Sequence, residues 1–136
     1  MAIALQYRYF SENVNAKLGA NATSKGGWVL MLKDVIDGSR DKTYIAQQKL
    51  VADIVGSAYE VPKALDAVVC MFMYYAATDE KKRLFSDEPW TYTRCAEATK
   101  WGQVVVGGFA QGGLSVTRNC NFGDDVSVGV AALREF

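Results

Sequence analysis

Apolar positions along this chain follow rhythms that predict most of its elements. Ile3, Tyr7, Phe10, Val14 and Leu18 are separated by steps of four and three, which line one face of a helix. Gly19 follows as its stop, so a helix is predicted over 2–18. Residues 20–27 are loop by composition. Trp28 to Ile36 is apolar apart from Lys33 and Asp34, and so short a run fits a helix or a strand equally. Gly38-Ser39 interrupts it.

Residues 41–59 read as a helix, with Asp41 as N-cap and Tyr44, Val51, Ile54, Val55 and Ala58 on the apolar face. Pro62 suits the first position of another helix. Leu65, Val68, Val69, Phe72 and Tyr75 or Ala76 carry that helix to about Thr78. Ser86-Asp87-Glu88-Pro89 is a further start signal, with Asp87 as cap, and Trp90 to Thr99 is the helix it opens. Residues 101–118 admit two readings. Val104-Val105-Val106 favours strand, and each glycine in a helix interior costs about 1 kcal/mol. A hairpin of 103–109 and 114–120 around Ala-Gln-Gly-Gly fits the local pattern, and so does a buried helix whose small residues admit close neighbours. Asn121 to Asp124 is a turn, Asp124-Asp125 suit a helix N-terminus, and Val126, Val130 and Leu133 mark a last short helix. No repeat or linker divides the 136 residues, so one domain is expected.

Composition narrows the chemistry. Half the chain is apolar and 22% is charged, with fifteen basic and fifteen acidic residues, which is ordinary for a globular protein. The densest charge run is Asp79-Glu80-Lys81-Lys82-Arg83, a solvated segment with no nucleic-acid footprint. There is no histidine, which removes Ser-His-Asp and Cys-His catalysis and histidine-ligated zinc. No enzyme, cofactor or metal site is expected. The paired glycines 107–108 and 112–113 do not match a phosphate loop, since no Lys-Ser or Lys-Thr follows. Cys70, Cys95 and Cys120 form no CxxC pair and read as buried free thiols. Asn21-Ala22-Thr23 matches a glycosylation acceptor, but no secretory signal is recognised before it. The longest apolar run, 67–77, is too short to span a bilayer, so the chain is expected to be soluble, cytoplasmic and without a transmembrane anchor.

Lys100 to Leu114 carries an unusual combination: Trp101-Gly102, a polar Gln103, Val104-Val105, Phe109 and glycine pairs. It resembles the first homology motif of the B-cell lymphoma 2 (Bcl-2) family of apoptosis regulators, which reads Asn-Trp-Gly-Arg before an apolar helix. Gly56-Ser57 and Tyr59 are similar to parts of the third motif, with Ala52 where a leucine belongs and Ser57 in place of aspartate. Tyr7, Arg8 and Lys17-Leu18 fit the family's first helix loosely. The resemblance covers about 41–135, and only 100–114 is distinctive.

The resemblance implies an all-α, Bcl-2-like helical bundle around a central apolar helix, and it favours the helical reading of 101–118. It implies a non-enzymatic pro-survival protein that inhibits apoptosis by sequestering BH-3 helices of pro-death host proteins. The groove would be lined by Val51, Ile54, Val55, Tyr59, Val69, Phe72, Met73, Lys100, Trp101, Gly102, Gln103, Val104 and Phe109. Met71 to Tyr75 would be core or groove wall. Gln103 stands where the family has arginine, so few ligands would bind, with Lys100 as a partial substitute. The chain stops about fifteen residues after Asn121, which implies missing terminal helices or a homodimer. A short, tail-less member looks like a viral homologue from a large DNA virus of iridovirus type, recruited to mitochondria through its partners. The alternative is a small viral α+β structural or adaptor protein with a C-terminal hairpin.

Overall fold

The computed structural model describes residues 7–10, 27–79, 82–85, 90–100, 102–110, 113–119 and 126–136. In chain order the elements are β1 (Tyr7–Phe10), β2 (Val29–Met31), α1 (Tyr44–Leu50), α2 (Ala64–Ala77), β3 (Tyr92–Thr99), β4 (Gly102–Ala110), β5 (Gly113–Asn119), β6 (Val128–Gly129) and β7 (Leu133–Glu135). The fold is therefore mixed α and β, and the all-α bundle is overturned.

Five strands form one sheet in the order β1-β5-β4-β3-β6. β3, β4 and β5 are an antiparallel meander, while β1 runs parallel to β5 and β6 parallel to β3. The valine triplet of β4 is buried throughout, at 0–2% exposure. This is the setting in which β-branched residues pack best, so local preference prevails over the helical alternative. The hairpin of 103–109 and 114–120 is the reading the structure bears out. α2 lies on this sheet, burying Ala67, Val68, Met71 and Phe72 against Cys95, Val104, Val106, Leu114 and Val116. A second cluster, Ile36, Val51, Val61, Val130 and Ala132, lies under α1. β2 and β7 form a separate antiparallel ribbon, joined to Glu60 by a bridge from Leu133.

Other expectations change as follows. Tyr7–Phe10 is strand rather than part of a 2–18 helix, and the rest of that helix, the glycosylation match, Ser86–Pro89, Trp101, Cys120 and the 121–124 turn with Asp124-Asp125 lie outside the described residues. Trp28–Ile36 takes its strand option at β2. The 41–59 helix shortens. Thr43, not Asp41, caps it by accepting from the Ala46 amide at 3.2 Å, and Asp41 has φ +56°. Its last turn widens over Val51–Val55 and stops at Gly56, whose φ is +118°. α2 is the helix expected from Pro62, but it begins at Ala64 with Lys63 rather than Pro62 leading in, and ends as expected at Thr78, its C-cap. In place of the helix expected over Trp90–Thr99, Tyr92–Thr99 is strand β3, since Tyr92 and Thr93 favour extended backbone. The last apolar steps are no helix: Val126 is exposed in a turn before β6, Val130 is buried between β6 and β7, and Leu133 opens β7.

An irregularity in β3 joins the helix to the sheet. Arg94 pairs with Val105 and Ala98 with Gln103, so residues 95–97 face the single residue 104. Such a bulge takes backbone groups out of the ladder. The Gln103 amide nitrogen donates to the carbonyls of Cys95 and Ala96, each at 3.1 Å. The Ala96 amide donates to Pro62 O at 2.9 Å. Glu97 accepts from the Ala64 amide at 2.9 Å, so the bulge supplies the N-terminal cap that Lys63 does not.

Candidate interaction surface

The β2–β7 ribbon gathers several exposed apolar side chains on one face. Phe136 N donates to Trp28 O and Leu32 N to Ala132 O, each at 3.0 Å, and Leu30 pairs with Arg134. Side chains alternate along a strand, so Trp28, Leu30, Arg134 and Phe136 share one face. That face is open: Trp28 is 83% exposed, Leu30 52% and Phe136 70%. The Arg134 guanidinium lies 4.5 Å from the centre of the Phe136 ring, a cation–π contact that holds the ring in place.

The other ribbon face turns toward α2. Met31 packs against the main apolar cluster, Leu133 is buried, and Glu135 pairs with Lys63 at 3.2 Å. Burial, with the Glu135 carboxylate beside it, pushes the Asp66 carboxyl above its usual range. Glu135 in turn holds the Lys63 ammonium above its ordinary value.

The residues expected to line one groove are dispersed. Val51 is buried in the second cluster, with Val55 and Tyr59 packed on it, while Ile54 points out at 59% exposure. Phe72 is buried and meets Phe109 edge-on at 5.5 Å. Val69 and Met73, at 44% and 62% exposure, lie one turn apart on the outer side of α2. Gly102, Gln103 and Val104 are buried in β4 and Lys100 is exposed in the β3–β4 turn. Gln103, expected to meet a ligand carboxylate, is 4% exposed and occupied by the bulge. The groove walls were to be helices at 41–59 and 101–118; the second is a hairpin.

Buried polar side chains serve the framework. Gln47 donates to Ser39 O and Val128 O at 2.8 and 3.3 Å, Ser39 accepts from the Val130 amide at 3.1 Å, and Arg94 donates to Lys42 O at 3.2 Å. Arg40 reaches Thr91 at 2.9 Å. Together they tie the segment before α1 to β3 and to the segment around β6. Burial pushes the Cys95 thiol well up and the Cys70 thiol up, so neither is an activated nucleophile. A cavity of about 10 Å³ lies among Met71, Phe85, Thr91, Gly107 and Phe109, room for about one water. Among the described residues no three metal-ligating side chains converge, and no helix is long and apolar enough to cross a membrane.

Sequence patterning missed Trp28, Leu30, Arg134 and Phe136. The available signal was the uncharged run Trp28–Leu32 beside Gly27, but its partner strand lies about a hundred residues on. No family model, curated protein or solved structure matches the chain.

Proposed function

We propose that this chain is a non-catalytic structural or adaptor protein that works by binding protein through the exposed face of the β2–β7 ribbon. The observation that carries this reading is Trp28, 83% exposed beside the open Leu30 and Phe136. Tryptophan in a contiguous apolar patch is characteristic of binding hot spots. Burying these three side chains stabilises a complex by roughly 5–9 kcal/mol, against an association cost of roughly 4–15 kcal/mol. The patch therefore anchors a complex that also needs backbone hydrogen bonds. The unbonded thiols Cys70 and Cys95 support a cytoplasmic setting for it.

The test is photo-crosslinking in cells that naturally make the protein, from a benzophenone side chain at position 28 and, as control, at the exposed Gln48. A discrete protein adduct from position 28 is expected, absent from position 48 and abolished by Leu30→Lys. Absence of any adduct from position 28 overturns the reading.

A further inference from the structure

We propose that the ribbon's partner is a second copy of this chain, joined through the outer edge of β2. This rests on the reading of the ribbon as a binding surface and places the contact at its β2 edge, where Trp28 and Leu30 meet the second copy. Trp28 and Leu32 direct backbone bonds at β7. Alternation then turns the N–H and C=O groups of Val29 and Met31 to the opposite edge. Among the described residues β2 pairs only with β7, so that edge presents two donors and two acceptors.

This arrangement is self-complementary. In an antiparallel pair about a two-fold axis, Val29 exchanges both bonds with Met31 of the second copy, and Met31 with its Val29. All four bonds then stay within the three residues of β2. Leu30 faces its own counterpart on the axis, and Trp28 falls opposite Leu32 and diagonal to Leu30 of the other copy. Two devices that blunt an edge, charge and proline, are absent from Trp28–Leu32.

Charge permits the pairing. In this register Lys33 lies opposite Gly27 of the second copy, so like charges do not meet. A Cβ built on Gly27 has nothing within 4 Å, which leaves room for an approaching backbone. The whole chain is formally neutral, so two copies carry no net repulsion.

Area sets the strength. Aromatic side chains contribute roughly 150–250 Å² each, so Trp28, Leu30 and Val29, at 83%, 52% and 39% exposure, offer at most roughly 300–400 Å² per copy. A standard interface uses about 800 Å² per partner, so this contact is small and the dimer is weak and reversible.

Sedimentation equilibrium of the full chain, from about 1 to about 200 µM, should show a reversible monomer–dimer equilibrium. Leu30→Lys sets two ammonium groups on the axis and should weaken dimerisation at least about tenfold, while circular dichroism confirms its fold. Leu30→Cys supplies the register test. Residues opposed in a non-hydrogen-bonded pair have Cα atoms about 4.5 Å apart, within disulfide reach. Mild oxidation should therefore give a covalent dimer that the parent chain does not give. A monomer at every concentration, or a dimer indifferent to Leu30→Lys with no disulfide from Leu30→Cys, overturns the proposal. If the chain stays monomeric while position 28 crosslinks to a different protein, self-pairing fails and the functional reading stands.

Discussion

Replacing Gln103 with leucine removes two hydrogen bonds from the β3 bulge with little change in side-chain bulk. The amide nitrogen donates to Cys95 O and Ala96 O at 3.1 Å each, and the side chain is 4% exposed. A made hydrogen bond contributes about 1 kcal/mol, and a buried group left without a partner costs about 1–3 kcal/mol. Leucine recovers part of this through apolar burial, so the net loss is about 2–3 kcal/mol. For a chain of this size each kcal/mol lowers Tm by about 3–5 °C, so calorimetry should show a drop of about 6–15 °C. Gln103→Glu discriminates further. A carboxylate cannot donate to either carbonyl, whereas the protonated acid donates to one, so this variant should be the less stable of the two at neutral pH and recover in acid. A Tm change under about 3 °C for Gln103→Leu, or a pH-independent Gln103→Glu, would refute the role given to this amide.

Two further outcomes follow from the geometry. A Cβ on Gly107 would overlap Thr91 O and lie 2.7 Å from Tyr92 Cα, whereas one on Gly108 meets the movable ends of Trp90 and Tyr92. Gly107→Ala should therefore cost about 3 kcal/mol or more, and Gly108→Ala nearer the 1–2 kcal/mol typical of its φ of +57°, as read by urea denaturation. Asp66 holds its proton more tightly folded than unfolded, so the stability it contributes is complete below the unfolded pKa of 3.8 and is lost as pH rises through the raised folded value. Asp66→Asn should leave the chain more stable than its parent at about pH 7, and urea midpoints should show that advantage shrink toward about pH 4.

How far the sequence betrays this structure varies from one element to the next. α2 was readable because a 3.6-residue rhythm, an upstream proline and an uninterrupted apolar run all agree. β4 and β5 were readable from Val104-Val105-Val106 and the glycines between them, and the resemblance to a helical motif pulled the other way. Tyr92–Thr99 was misread because Ser86–Pro89 looks like a helix start, while the deciding fact, pairing with β4, lies in the next strand. Val128–Leu133 misled for a related reason: a continuously buried segment shows no alternation and imitates a helical stripe. Among the described residues of the expected groove, Ile54, Val69, Met73 and Lys100 remain exposed. The ribbon face was invisible because Trp28 acquires its setting from Arg134 and Phe136.

Both N-terminal strands depend on the far end of the chain: β1 pairs with β5, and β2 with β7. A ribosome adding roughly 5–20 residues per second needs roughly 5–20 s to travel from Tyr7 to Gly113. Through that interval the nascent chain presents two strands whose ladder partners do not yet exist. The uncharged Trp28–Leu32 segment emerges about a hundred residues before the strand that matches it. Neighbouring chains on one message would meet at this edge before either had finished folding, so the contact inferred between mature copies is also the point at which synthesis is most open to premature association.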